Sequence, residues 1–137
     1  MECDLARPKV KAAEFHGKAA HLKFREREHQ PATLCTLVMT SNIDSTGVAR
    51  YPLGNLPVMD PANGAVLIDD LCRRSYTTSI AYGPSIGKTI ALAYLPHAYC
   101  ELGRELQVQY FGDVYPVKVV AVGYNTLYDP ENIKQRS

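Results

Sequence analysis

Glu105-Leu106-Gln107-Val108-Gln109-Tyr110, then Phe111-Gly112-Asp113, then Val114-Tyr115-Pro116-Val117-Lys118-Val119-Val120-Ala121-Val122 is the stretch that decides the fold. Its first six residues alternate strictly between polar and apolar. Side chains of an extended chain repeat every two residues, so Leu106, Val108 and Tyr110 share one buried face. Gly112-Asp113 reads as a two-residue turn of the glycine-first type, and Val114 to Val122 returns as the second strand of a hairpin. Pro116 cannot donate to a strand ladder, which predicts a sheet edge or a bulge at that point.

The same extended character spreads outward from this hairpin. Thr89 to Leu95 is an uninterrupted apolar run ended by Pro96, and residues 97–103 form a connection with one helical turn closed by Gly103. Arg73 to Ala81 and Ala65 to Ile68 read as extended, the latter after an Asn63-Gly64 turn signal. Residues 41–64 are rich in Gly, Pro, Asn and Asp, and only Leu56 to Met59 has enough apolar character to pair briefly. Leu34 to Met39 is a further strand. Before it, about Gly17 to Glu28 reads as a helix whose narrow apolar stripe is Ala19, Ala20, Leu22 and Phe24. Glu14 and Lys18 make a favourable pair four residues apart, and His29 and Pro31 close the helix. Many short strands with Gly/Pro turns predict a mainly β fold. The expected architecture is a small six-stranded β-barrel or jelly-roll-like domain preceded by one amphipathic helix. So short a helix is marginal alone, and its stripe needs a partner surface.

Composition narrows the function classes. The 137 residues suffice for one domain with a real core, and 46% hydrophobic against 21% charged residues marks a globular chain. The net charge of +1 gives no electrostatic case for nucleic acid or a membrane surface. No apolar run approaches the roughly 18 residues that span a bilayer. Met1-Glu2-Cys3-Asp4 lacks a secretory pattern. The four cysteines, Cys3, Cys35, Cys72 and Cys100, form no CxxC and read as free thiols in a reducing compartment, serving as small buried hydrophobes. Charge is concentrated before residue 31, where 40% of residues are charged against 16% after it, whereas all nine tyrosines fall between Tyr51 and Tyr128.

Few strings suggest chemistry. Gly83-Pro84-Ser85-Ile86-Gly87-Lys88-Thr89 resembles a phosphate loop but is one residue short, with Tyr82 where the first glycine belongs. It leads into a strand rather than a helix, so a turn between strands is the favoured reading. His16 and His21 lie about 140° apart around a helix and do not converge on a metal, and His97 reads as a surface histidine. Asp69-Asp70 reads as a solvated turn, because adjacent strand residues point to opposite faces. Arg73-Arg74 beside Tyr76, with Tyr82 further on, have the residue types of an anion or ring-stacking site. On a strand only one of the two arginines can face a given side, and plain surface charge is the favoured reading. The basic residues Lys18, Lys23, Arg25 and Arg27 are interleaved with Glu26 and Glu28, as on a solvated helix face.

The stretch Arg74-Ser75-Tyr76-Thr77-Thr78-Ser79-Ile80-Ala81-Tyr82-Gly83-Pro84-Ser85-Ile86-Gly87-Lys88-Thr89-Ile90-Ala91-Leu92-Ala93-Tyr94-Leu95-Pro96 resembles the hallmark of the C-terminal barrel domain of the glycine-cleavage T-protein (aminomethyltransferase) family, T-S-G-x-x-S-P-S-L-G-K-x-I-A-L-A-Y-V-P. Gly103, Glu105–Phe111, Gly112-Asp113 and Tyr115-Pro116-Val117-Lys118-Val119 fill the family's next places. Leu127-Tyr128-Asp129-Pro130-Glu131-Asn132 is similar to the close of dimethylglycine and sarcosine dehydrogenase-like members. Phe15-His16-Gly17-Lys18-Ala19-Ala20 is similar to the family's F-x-G-K-x-A-L helix start. Two departures are the shift of the Ser-Pro-Ser pattern by Gly83 and the long loop 41–58.

The resemblance implies a part of a larger enzyme. Residues 1–33 would be the tail end of a folate-binding domain and 34–137 the barrel. The barrel would pack on that preceding domain and help close its tetrahydrofolate cavity, without catalytic residues of its own. The parent would act on a small methylamine substrate, with FAD possible in a further upstream domain. It would reside in the cytoplasm, or in the mitochondrial matrix of a eukaryote. Arg74, Tyr76 and Tyr82 are the residues whose chemistry suits folate, arginine for its carboxylates and tyrosine for its rings. The rival expectation is a stand-alone β-barrel that binds or scaffolds without chemistry.

Overall fold

The computed structural model describes residues 14–26, 30–84 and 86–123. Six strands follow one helix: α1 (Lys18–Arg25), β1 (Ala32–Met39), β2 (Val58–Met59), β3 (Thr77–Gly83), β4 (Lys88–Pro96), β5 (Glu105–Tyr110) and β6 (Asp113–Val122). A 3-10 turn, His97–Tyr99, joins β4 to β5. All pairings are antiparallel, in the order β2-β5-β6-β1-β4-β3. The two outer strands also meet. Pro57 bridges Tyr76, and around that bridge Thr77 N–H donates to Leu56 O and Val58 N–H to Ser75 O. The sheet thereby curls on itself as a half-barrel whose two edges meet at one end, along Leu56–Val58 and Ser75–Thr77.

Alternation produces the core as expected. Leu106 and Val108 of β5, Tyr115, Val117 and Val119 of β6, and Cys35 and Leu37 of β1 are all essentially sealed from solvent. Ala91, Ala93 and Leu95 line the same interior from β4.

Three expectations are corrected. The β5–β6 turn is Phe111-Gly112, not Gly112-Asp113, because Tyr110 pairs with Asp113. Both turn residues have positive φ, 49° and 87°, as a two-residue turn of the right twist demands. Pro116 lies on an interior strand, not an edge. Its carbonyl accepts from Thr40 N–H just where β1 ends, so the missing proline N–H faces the side on which no ladder continues. The bulge sits instead in the β1–β6 ladder, between Thr36 and Leu37. Asp69 is buried rather than solvated, at 7% exposure.

The helix begins one residue after Gly17, and Lys18 meets Glu14 at 2.7 Å. Leu22 and Phe24 remain about 40% exposed. Gln30 donates to Phe24 O beyond the helix end, while residues 27–29, including His29, lie outside the described set, as does Ser85 of the phosphate-loop-like string. No helix among the described residues is long and apolar enough to cross a membrane.

Candidate functional site

The phosphate-loop-like string is the β3–β4 hairpin. Ile86 and Gly87 N–H both turn back to Gly83 O, so these two donors are spent inside the turn instead of facing an anion. A strand follows, with no helix dipole behind the loop. Among the described residues no three His, Cys, Asp or Glu side chains gather as a metal set.

Three buried aspartates shape the loops, each by accepting the N–H two residues on. Asp44 takes Thr46 N–H, the Thr46 hydroxyl, Val48 N–H and Arg50 Nε. Those bonds, the Thr46 hydroxyl foremost, hold its carboxyl far below the usual range. Asp60 takes Ala62 N–H and the Tyr99 hydroxyl, which lower it as well, and the same bond raises Tyr99. Asp69 takes Leu71 and Arg73 N–H and the Arg73 guanidinium at 2.7–2.8 Å. Burial pushes Asp69 up, but the Arg73 side chain and the two N–H groups outweigh it and leave it lowered.

The Asp69 turn builds a cavity of about 230 Å³, lined by Ala32, Asp69, Arg73, Arg74, Ser75, Tyr76, Thr78 and Tyr94; a shallower and larger one, about 460 Å³, lies between Asp60–Ala62 and Glu101–Glu105. Both arginines line the first. The expectation that only one could share a side assumed a strand, whereas Cys72, at φ 59°, makes the chain turn immediately before them. Arg73 is neutralised by Asp69. No ion pair holds Arg74 among the described residues, and it adds a positive charge to the cavity lining. Tyr76 and Tyr94 are about half exposed, and their rings flank it. The cavity thus offers a cation and two aromatic faces, fitted to a flat ring bearing a carboxylate.

Two of the three expected site residues, Arg74 and Tyr76, are brought together here. Tyr82 is not. It sits near the β3–β4 hairpin, six residues and roughly 20 Å of strand from Tyr76. Tyr94 was missed by sequence reasoning. The register Thr77↔Ala93 is what sets it beside Tyr76, and no local pattern encodes that pairing.

Tyr94 also belongs to a second surface. The outward side of β1 and β4 carries Leu34, Val38, Ile90 and Leu92, half-buried or buried, so this face of the barrel is apolar where a solvated sheet would be polar. The cavity lies at its end, where Ala32 begins β1 and the polypeptide comes in from residue 30.

This fold has known counterparts. The family model of the glycine cleavage T-protein C-terminal barrel domain matches residues 53–124. The chain belongs to that family. Dimethylglycine dehydrogenase, mitochondrial, of Homo sapiens is 29% identical over 110 residues, as is the Rattus norvegicus protein. Each alignment takes in 80% of this chain and 11% of the relative. The crystal structure of glycine cleavage system aminomethyltransferase T from Bartonella henselae superposes with a TM-score of 0.58 at 18% identity, over 82% of this chain and 27% of that one, a likeness of fold. The T-protein barrel therefore corresponds to a small part of these much longer relatives.

Proposed function

We propose that this chain is the C-terminal, non-catalytic barrel module of a folate-dependent one-carbon enzyme, an aminomethyltransferase or a dimethylglycine or sarcosine dehydrogenase-like protein. The barrel packs on the preceding folate-binding domain and closes one side of its tetrahydrofolate cavity. The observation that carries this reading is the coincidence of three features in one place: the apolar outer face of β1 and β4, the Arg74–Tyr76–Tyr94 cavity, and the point where the preceding chain arrives.

Size supports a shared site. Ligand pockets ordinarily measure about 300–1,000 Å³. A cavity of 230 Å³ has room for one end of a folate, not the whole. Arg74 would hold a carboxylate of the glutamate tail, with Tyr76 and Tyr94 against the adjoining ring. Tetrahydrofolate supplies the one-carbon acceptor, and FAD, where an upstream domain carries it, would oxidise the methylamine. Neither chemistry falls to a residue of this chain.

The test is Arg74→Ala in the parent enzyme. The KM for tetrahydrofolate should rise about tenfold, the loss of one charge-assisted contact of roughly 1.4 kcal/mol, with kcat unchanged. Tyr82→Ala should leave both constants alone. An unchanged KM in Arg74→Ala, or an equal effect of Tyr82→Ala, would remove the cavity from the site.

A further inference from the structure

Cys35 and Cys100 are 65 residues apart in sequence, yet their sulfurs stand 3.8 Å from each other. Cys35 belongs to β1 and is completely buried, packed in the core cluster. Cys100 follows the 3-10 turn His97–Tyr99 and is half-buried, so a small solute reaches it first. Its sulfur also lies 3.3 Å from both Leu95 O and Pro96 O, which fixes it over the end of β4. A disulfide needs sulfurs about 2.05 Å apart. The gap to close is thus under 2 Å, within reach of side-chain rotation at one or both cysteines. Cys72, the remaining described cysteine, is exposed at a left-handed turn.

We propose that Cys35 and Cys100 form an oxidisable dithiol, a redox modification site that bolts the 97–103 connection to β1. Both cysteines otherwise read as core filling, yet a half-buried sulfur in register with a buried one supplies an attacking and a resolving thiol. The oxidant is a small hydroperoxide. The Cys100 thiolate attacks the peroxide oxygen, the O–O bond breaks, and the alkoxide leaves with a proton as the alcohol or water. Cys100 becomes a sulfenic acid. The Cys35 sulfur then attacks the Cys100 sulfur, the S–O bond breaks, and hydroxide leaves with the Cys35 proton as water. Two thiols lose two electrons and the peroxide gains them.

The proposal does not depend on folate. The intact chain is treated with hydrogen peroxide at pH 8, alkylated under denaturing conditions, and mapped by non-reducing peptide mass spectrometry. The expected result is a Cys35–Cys100 cross-linked peptide, 2 Da lighter than the sum of its reduced parts and absent after dithiothreitol, with Cys72 recovered in other forms. The oxidised chain should also show a higher thermal midpoint, lost in Cys100→Ala and again in Cys35→Ala. Cys100→Ala changes a half-buried position and keeps the test open if Cys35→Ala fails to fold. Both cysteines recovered alkylated after oxidation, or Cys100 carried to sulfinic acid with no cross-link, would overturn the proposal.

Discussion

Asp44, Asp60 and Asp69 show what single residues contribute. Each is a carboxylate taken out of water and repaid by backbone N–H groups, and two of the three by an arginine as well. Their folded-state pKa values lie below those of an unfolded chain. The unfolded state therefore binds more protons as acidity rises. The stability they contribute is fully present above the ordinary carboxylate value near 4 and is lost as pH falls through the lowered folded values. The thermal midpoint should be flat between about pH 7 and 5 and drop steeply below about pH 4. Asp44→Asn should start lower at pH 7 and descend less. A midpoint that holds steady or climbs on acidification to pH 2.5 would contradict this account. Sequence reading placed Asp69 in a turn but missed its burial. Bonds to the N–H groups two and four residues on leave no periodic pattern; the trace they leave is an aspartate followed four to six residues later by an arginine, Asp44 with Arg50 and Asp69 with Arg73.

At the scale of the element, the strands were readable wherever one face is core and the other is not. Residues 105–110 and 114–122 alternate because β5 and β6 do face two environments, and the structure keeps that alternation almost residue by residue. Failures came where local chemistry departs from the element's rule. Asn-Gly or Asp-Gly is the usual pair for the β5–β6 turn, yet Phe111 occupies the first position at φ 49° and is 88% exposed. A bulky residue there is strained, on the order of 1–3 kcal/mol, and its contact with the Tyr110 ring at 4.5 Å offsets part of that. Phe111→Asn should therefore stabilise the barrel by about 1 kcal/mol, read as a higher urea midpoint with an unchanged slope. A lower midpoint would mean the ring contact outweighs the backbone strain. The helix shows the opposite limit. Its start and its Glu14–Lys18 pair were legible, but no local feature tells what covers Leu22 and Phe24.

For the whole molecule, the barrel class was legible from strand count and turn spacing, but its closure was not. The closing contact runs through Pro57 and Tyr76: Leu56 to Met59 was read as able to pair briefly and Arg73 to Ala81 as extended, but only the third dimension shows that they meet each other. The same holds for the candidate site. Arg74 and Tyr76 were found by residue chemistry, Tyr94 required the β3–β4 register, and Tyr82 was drawn in by its type and left out by its distance. The structure sets a small cavity, lined by Arg74, Tyr76 and Tyr94, beside an apolar face at the end where the chain enters from residue 30; under the proposed function it is one part of a shared site.

The most direct test is calorimetric titration of tetrahydrofolate, with folinic acid as a stable check, into the barrel alone and into the barrel joined to the folate-binding domain proposed to precede it. The account predicts saturable binding to the joined protein and no heat from the barrel alone at ~100 μM protein, a limit of roughly −5.5 kcal/mol. Binding to the barrel alone tighter than about 100 μM would contradict it, since the barrel would then hold most of the site itself.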